Sequence, residues 1–182
     1  MGAEPRGVSA PSPAAAPALT SMPAIGQQAP AFSLPNVHGT PVEVPDPDGS
    51  ALVVVFFPFA FSQVCTGELA ALADNLAMFH EAGADLVAIS CDPMFALRAY
   101  DEQRDFGFDL LSDFWPHGAI SSRYGIFDAA AGHAHRGSVL IDEHGTIRWR
   151  ILTGPGEPRP LSAYRAALDG LGRARGERAE VG

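Results

Sequence analysis

The segment at 51–57, ALVVVFF, constrains the fold of this chain more than any other feature of its sequence. Every residue in it is apolar, so a strand formed here has two apolar faces and must be covered on both sides. Such strands are typical of the centre of an α/β sheet. After Pro58 the sequence changes to helical periodicity, in which apolar residues recur at spacings of three and four. The apolar face of this predicted helix consists of Leu69, Leu72, Leu76 and Phe79.

The rest of the chain alternates between strand and helix signals. Further strands are predicted at 84–90, 109–111, 138–142 and 147–152. Helices are predicted at 119–124 and 161–171, and another begins after Asp92, which precedes a proline and is the expected N-cap. Two extended segments, 31–34 and 42–44, flank a turn signal and predict a β-hairpin. This order predicts an α/β protein with the thioredoxin-like fold, a central mixed β-sheet flanked by helices with an N-terminal hairpin extension.

A chain of 182 residues is long enough for one well-packed domain and too short for two of ordinary size. We assign this thioredoxin-like domain to residues 22–171. Residues 1–21 are rich in Ala, Pro, Ser and Gly and contain few bulky apolar side chains, so we expect a disordered leader. Residues 172–182 alternate charges with glycines, and we expect a disordered tail there.

Composition and charge exclude several kinds of partner. Acidic residues outnumber basic ones by 21 to 12, and the resulting net charge of −9 repels phosphate backbones, so we expect no nucleic-acid partner. No apolar run reaches the roughly 18–20 residues of a membrane-spanning helix, so we expect no membrane partner either. Residues 8–20 lack the continuous apolar region of a signal peptide, which favours a cytoplasmic location.

Cys65 lies just past the first central strand, near the predicted start of the following helix. The unpaired amide groups and the positive dipole end of a helix N-terminus favour thiolate over thiol, and the thiolate is the nucleophile. Ser62 precedes it by three residues, where its hydroxyl can cap the helix and bind a small polar ligand. Pro58 lies at the exit of the strand and provides an apolar wall without an N–H group. We therefore predict a nucleophilic cysteine at position 65, with a buried core cysteine as the alternative.

Two charged residues complete the candidate site. Glu68 follows Cys65 by three residues and so lies on the same face of the predicted helix. A carboxylate beside a thiolate disfavours its ionisation, so we expect an arginine nearby, held by Glu68. Arg136 is our candidate because it precedes the strand predicted at 138–142, which should pair beside the central strands. A solvated helix residue and an exposed strand-end charge are the alternative interpretations of Glu68 and Arg136.

The pattern P-x-x-x-S-x-x-C-x-x-E at residues 58–68 resembles the signature of the peroxiredoxin family, Pro-x-x-x-Thr/Ser-x-x-Cys. The segments at 110–128 and 135–142 resemble later blocks of that family. The sequence DFWPHG at 113–118 is most similar to the AhpE-like one-cysteine members. This resemblance covers residues 22–170, which is nearly the whole predicted domain.

The resemblance implies a thiol-dependent peroxidase. By position, Cys65 corresponds to the cysteine that attacks the peroxide and becomes a sulfenic acid, and Arg136 to the arginine that stabilises the thiolate and polarises the peroxide. Ser62 corresponds to the hydroxyl that aligns the peroxide, and Pro58 to the proline that shields the cysteine from water. No metal or organic cofactor is implied. The implied partners are hydrogen peroxide or an organic hydroperoxide, an external thiol or small redoxin as reductant, and further copies of the chain in a homodimer or larger homo-oligomer.

Cys91 is the second of the two cysteines and therefore the candidate for a disulfide with Cys65. It directly follows a predicted central strand, whereas the resolving cysteines of the resembled family occur at other positions, so we expect Cys91 to be inert. His133 and His135 have no third ligand in register, and we interpret them as loop residues rather than a metal site. Trp115-Pro116-His117 is either a family block or an apolar plug at a loop.

Three other functions are alternatives to a peroxidase. A thioredoxin-type thiol–disulfide oxidoreductase requires Cys-x-x-Cys, but position 68 is Glu. A glutathione-peroxidase-like enzyme requires a Gln/Trp tetrad that we cannot locate in the sequence. A non-enzymatic peroxide sensor shares the first chemical step with an enzyme, and the sequence leaves this alternative open. Repeated turnover distinguishes the two, because a sensor stops after one oxidation equivalent.

Overall fold

The computed structural model describes residues 22–45 and 49–179. In chain order its strands are β1 (Phe32–Pro35), β2 (Pro41–Val44), β3 (Ala51–Phe56), β4 (Ala84–Ser90), β5 (Asp109–Ser112), β6 (Phe127–Asp128), β7 (His133–Ala134), β8 (Arg136–Ile141) and β9 (Ile147–Thr153). Its helices are α1 (Gln63–Ala73), α2 (Leu76–Glu81), α3 (Met94–Arg104), α4 (Ala119–Arg123) and α5 (Leu161–Ala179). The predicted leader at 1–21 lies outside the described residues.

The central sheet has five strands in the order β5-β4-β3-β8-β9. β3 pairs in parallel with β4, and β4 with β5, whereas β8 pairs antiparallel with both β3 and β9. β3 lies in the middle, as its sequence predicts, and every one of its residues is buried. The predicted N-terminal hairpin is present as a separate sheet of β1 and β2, and a small ribbon of β6 and β7, which no sequence signal indicated, forms another.

Successive side chains of β3 point to opposite faces of the sheet and enter two different cores. Val53 and Val55 lie in the core that α1, α2, α3 and α5 cover. Leu52, Val54 and Phe56 lie in the core between the sheet, the N-terminal hairpin and α4. Because both faces are covered, no position of this strand can expose a polar side chain to water, which explains the uninterrupted apolar run.

The helix predicted after Cys65 is two helices, α1 and α2, with a break at Asp74 and Asn75. Asp and Asn are poor helix formers because their short polar side chains bond to nearby backbone groups instead. Here the Asn75 amide donates to the carbonyl of Ala71 (2.9 Å). The break ends α1 after eleven residues. The first turn of α1 follows the carboxyl end of β3 along the chain.

Asp92 does not cap α3, which corrects the predicted helix start. The N-cap is Pro93, which makes no side-chain cap bond. The Asp92 carboxylate instead accepts hydrogen bonds from the Ser90 hydroxyl (2.8 Å) and from the backbone amide of Ala60 (2.8 Å). Asp92 therefore ties the end of β4 to the loop that connects β3 with α1.

α5 extends beyond the predicted end of the domain at residue 171. It runs to Ala179 and so includes residues 172–179, which we expected to be disordered. Arg, Ala and Glu predominate in this stretch and are strong helix formers, and they outweigh the two glycines within it. In the part of the chain that the structure describes, no helix, α5 included, is both long and apolar enough to cross a bilayer.

Candidate active site

The carboxyl end of β3 and the first turn of α1 bring the predicted cysteine site together. Ser62 has an extended backbone (φ −68°, ψ 142°) and is the N-cap of α1. Its hydroxyl accepts a hydrogen bond from the backbone amide of Cys65 (3.3 Å), which is the capping role that the sequence predicted. Cys65 is therefore in the first turn, where backbone N–H groups lack helical partners, and its side chain is fully buried.

The loop between β3 and α1 is fixed at three points. The amide of Ala60 donates to Asp92, as described above. The Phe61 ring packs on Tyr100 with 4.9 Å between ring centroids, and its backbone has a left-handed φ of 62°, which is uncommon for a residue with a bulky side chain. The Tyr100 hydroxyl is in turn hydrogen-bonded to that of Thr66 in α1 (2.9 Å). These contacts determine how the chain enters the capped turn at Ser62.

Glu68 and Arg136, the two charged residues predicted for the site, are in direct contact. Nη1 of Arg136 donates to Oε2 of Glu68 in an ion pair that joins α1 to the start of β8. Both residues are buried, so neither alternative interpretation, a solvated helix residue or an exposed strand-end charge, describes them. The antiparallel pairing of β8 with β3 is what places Arg136 beside the end of β3, as its position in the sequence suggested.

Arg159 is the member of the site that the sequence analysis missed. Its backbone N–H and its Nε both donate to Oε1 of Glu68, at 2.6 and 3.0 Å, and its Nη2 donates to Oε2 at 3.3 Å. Its Nη1 donates to the carbonyls of Phe56 (2.8 Å) and Gly137 (2.7 Å). Arg159 thus connects α1, β3 and β8 from the segment before α5. No local pattern marks it, because it stands between two prolines in a loop and its partners are distant in sequence.

The buried charges at the site do not cancel. Glu68 faces two guanidinium groups, Arg136 and Arg159, which leaves an excess of positive charge. Burial raises the pKa of Glu68, but the two arginines and their hydrogen bonds outweigh burial and hold that pKa below its usual value. Among the buried side-chain polar atoms of the described residues, Nε of Arg136 has no hydrogen-bond partner. Together, Glu68, Arg136 and Arg159 therefore carry excess positive charge and an unpartnered N–H donor, which an anion or a polarised oxygen requires.

A cavity of about 390 Å³ opens at these residues. Pro58, Phe59, Ser62 and Arg136 line it. The segment 153–156, which begins at the last residue of β9, also lines it. Of the sequence-predicted site residues, Pro58, Ser62 and Arg136 line this space, whereas Cys65 and Glu68, which are buried on α1, do not.

Two histidines that we interpreted as loop residues also line the cavity. His133 is in β7 and His135 follows directly before β8, so the β6–β7 ribbon carries both to the cavity wall. The described residues contain no group of three or more His, Cys, Asp or Glu side chains arranged to hold a metal ion.

Cys91 occupies a different environment from Cys65. It is buried at the end of β4, and burial together with the nearby Asp113 carboxylate raises its pKa to about 11. The Ser121 hydroxyl and the backbone of Ala134 lower the pKa slightly but do not compensate. A thiol in this environment stays protonated at neutral pH and is a poor nucleophile.

Comparisons with known proteins identify the family of this chain. Residues 25–150 match the model of the AhpC/TSA family. The chain is 39% identical over 148 residues to alkyl hydroperoxide reductase E of Mycobacterium tuberculosis, covering 81% of this chain and 97% of that one. It is 33% identical over 128 residues to peroxiredoxin Bcp of Escherichia coli, covering 67% and 81%.

Solved structures of similar proteins have the same architecture. Mycobacterium tuberculosis AhpC superposes with a TM-score of 0.74 at 25% identity, covering 82% of this chain and 93% of that one. Peroxidoxin BcpB from the same organism superposes with a TM-score of 0.69 at 27% identity, covering 82% and 96%. These likenesses confirm the predicted thioredoxin-like fold.

Proposed function

Because this chain belongs to the AhpC/TSA family and is a thiol-dependent peroxidase, we propose that Cys65 is the residue that its peroxide substrate oxidises. The observation that carries this assignment is the setting of Cys65. It is buried in the first turn of α1, and its cap Ser62 lines a cavity together with Arg136, whose buried Nε has no hydrogen-bond partner. Of the two cysteines, only Cys65 lies inside the first turn of a helix, and the buried guanidinium of Arg159 interacts with it electrostatically.

In the proposed reaction the Cys65 thiolate attacks the terminal oxygen of the peroxide. A bond forms between Sγ and that oxygen, the O–O bond breaks, and the leaving alkoxide or hydroxide takes up a proton to become an alcohol or water. Cys65 becomes a sulfenic acid. Negative charge develops on the leaving oxygen, and preorganised donors in a water-poor site stabilise such charge strongly. Nε of Arg136 and the Ser62 hydroxyl are those donors, and Pro58 limits the access of water.

Glu68 and Arg159 act through Arg136 in this proposal. Glu68 accepts from Nη1 of Arg136, which fixes the guanidinium with Nε free. Arg159 offsets the charge of Glu68, so that Glu68 does not cancel the positive field at the thiolate. We therefore regard both as positioning residues rather than as groups that touch the peroxide.

We propose that an external thiol or small redoxin, and not Cys91, reduces the sulfenic acid. The burial of Cys91 and its pKa of about 11 support this assignment. Both cysteines are free thiols, which suits the reducing cytoplasm that we propose as the location of the protein.

We also propose that the protein forms a homodimer. Phe59 and Phe61 follow β3, Phe95 lies in the first turn of α3 after β4, and Phe114 and Trp115 follow β5. The carboxyl ends of these three parallel strands meet at one edge of the sheet, and all five aromatic side chains are exposed, Trp115 by 81%. An exposed aromatic surface of this kind is typical of a protein–protein interface, and a second copy of the chain is the partner we propose. Trp115 is thus not the apolar plug considered above.

Mass spectrometry after one equivalent of hydrogen peroxide, with and without a sulfenic-acid trap, tests the assignment. We expect one trapped adduct, on Cys65. Cys65→Ser should abolish peroxide consumption with a thiol present, whereas Cys91→Ser should retain most of it over many turnovers. A disulfide between Cys65 and Cys91 in the oxidised protein, or loss of repeated turnover in Cys91→Ser, would show that the one-cysteine mechanism is wrong.

A further inference from the structure

The β6–β7 ribbon brings an acid–imidazole pair to the candidate active-site cavity. Asp128 at the end of β6 and His135 before β8 both line the cavity that Ser62 and Arg136 also line. The chemistry proposed for peroxide attack uses neither of them. A buried histidine beside a carboxylate in a reactive cavity is a candidate for proton transfer.

The Asp128 carboxylate lies near the His135 imidazole. Its Oδ2 is 3.7 Å from Nε2 of His135, which is longer than a hydrogen bond. The other carboxylate oxygen, Oδ1, accepts the backbone amides of Ala130 (2.9 Å) and Ala131 (3.0 Å), which fixes the carboxylate in place. In the tautomer with the proton on Nε2, that proton is on the nitrogen nearer Asp128 and Nδ1 carries the free lone pair.

The surroundings keep this pair in the protonation states that a base requires. Burial lowers the pKa of His135, Asp128 partly opposes that effect, and His133 adds to it, so the imidazole is neutral near pH 7. The amides of Ala131 and Ala130 lower the pKa of Asp128, with a smaller contribution from the two histidines, so it is ionised. In the described cavity wall the charged or titratable groups are Asp128, His133, His135 and Arg136.

We propose that His135 is the general base for the incoming thiol in the second half of the catalytic cycle, oriented by Asp128. This inference rests on the proposed function, because it requires a sulfenic acid on Cys65. Nδ1 of His135 accepts the proton of the external thiol, and the thiolate attacks Sγ of Cys65. The new S–S bond forms as the S–O bond breaks, and the departing hydroxide takes the proton from the imidazole and leaves as water. A second thiol then releases Cys65 by exchange.

The thiol step needs a base more than the peroxide step does. An ordinary thiol has a pKa of about 8.5, so only a few per cent is ionised at pH 7, and a neutral imidazole can accept its proton. The neighbouring His133 is less suited to this role. Its Nδ1 contacts the carbonyl of Ala134 (2.9 Å) and its ring packs on Phe59 with 4.6 Å between ring centroids.

The two half-reactions can be measured separately in single turnovers. Oxidation of the reduced full-length protein by hydrogen peroxide is followed first. The protein is then oxidised with one equivalent of peroxide and mixed at pH 7 with either 2-mercaptoethanol, which is mostly protonated, or thionitrobenzoate, which is already ionised. His135→Asn and Asp128→Asn are compared with the wild type, and His144→Asn, an exposed histidine in the β8–β9 turn, is the matched control.

We expect His135→Asn to react with peroxide at the wild-type rate. Its reaction with 2-mercaptoethanol should be slower by about 10²-fold, the lower end of general-base effects. Its reaction with thionitrobenzoate should be unchanged, because that thiol has no proton to lose. Asp128→Asn should show the same pattern with a smaller loss, and His144→Asn none.

Equal slowing with both thiols would mean that His135 has a structural role only, and the inference would be wrong. It would also be wrong if the peroxide step were slowed while the thiol step stayed intact, or if neither step changed. If wild-type Cys65 formed no sulfenic acid at all, the proposed function itself would fail. That result is visible in the first half-reaction before any thiol is added.

Discussion

Replacing Glu68 by Gln should destabilise the fold strongly although it changes a single atom. Each carboxylate oxygen accepts two N–H groups: Oε1 accepts the backbone amide and Nε of Arg159, and Oε2 accepts Nη1 of Arg136 and Nη2 of Arg159. Whichever oxygen is replaced by the amide NH2 group, the two N–H donors of that NH2 group then face the two arginine N–H donors that the oxygen accepted. Two buried guanidinium groups also lose their counter-ion.

The size of the effect follows from what removing one partner of a buried ion pair costs, which is about 3–5 kcal/mol. For a domain of this size each kcal/mol shifts the melting temperature by about 2–4 °C, so we expect a decrease of about 6–20 °C. Calorimetry and urea unfolding measure it. Glu102→Gln, on the exposed face of α3, is the matched control and should change stability by less than about 0.5 kcal/mol.

The stability loss caused by Glu68→Gln should also depend on pH. Because the pKa of Glu68 is lowered in the folded protein, its stabilisation is complete above the ordinary value of 4.5 and is lost as the pH falls through the lower, folded value. The difference in unfolding free energy between wild type and Glu68→Gln should therefore be constant near neutrality and shrink below pH 4.5. A loss under about 1 kcal/mol at pH 7, the scale of an ordinary neutral hydrogen bond, would refute the picture of a buried carboxylate neutralising two arginines.

Three further predictions concern the cavity and the exposed aromatic side chains. Arg136→Met should slow sulfenic-acid formation by about 10²-fold or more, the scale of removing one preorganised donor, whereas Arg104→Met on the surface should not; equal rates would exclude Arg136 from the reaction. Ser62→Ala should reduce the unfolding free energy by about 0.5–2 kcal/mol through loss of the cap, and also lower the peroxide rate, whereas Ser62→Thr should preserve both; an unaffected Ala variant would refute the cap. Trp115→Ser should convert the proposed dimer to monomer in light scattering, and a monomeric wild type would contradict the interface.

The elements with a local signal were predictable from sequence. The apolar run of β3 predicts that both faces of the strand are buried, and the three-residue spacing of Ser62 and Cys65 predicts the capped turn. Both features depend only on residues within a few positions of one another. Arg136 was found because it stands at the start of a strand, and strands of one sheet share their edges. The thioredoxin-like fold follows from the order of these elements.

The features that were missed depend on long-range contacts. Arg159 lies in a loop between prolines, and only the return of the chain after β9 brings it to Glu68. Asp92 has the sequence of a helix cap, but the competing Ser90 hydroxyl and Ala60 amide take up its carboxylate. The β6–β7 ribbon is only two residues long on each side, too short for a period-two pattern, so His135 gave no sign of its position at the cavity.

The place of Arg159 in the chain also sets when the site can be completed during protein synthesis. Arg159 follows Glu68 by 91 residues, and at translation rates of about 5–20 residues per second this interval lasts about 5–18 s. The cysteine, its capped helix and the carboxylate are all made before it, so for that time the carboxylate cannot have its principal partner. The charged group at the reactive centre is thus completed late in synthesis, after β9, the last strand of the central sheet, has been translated.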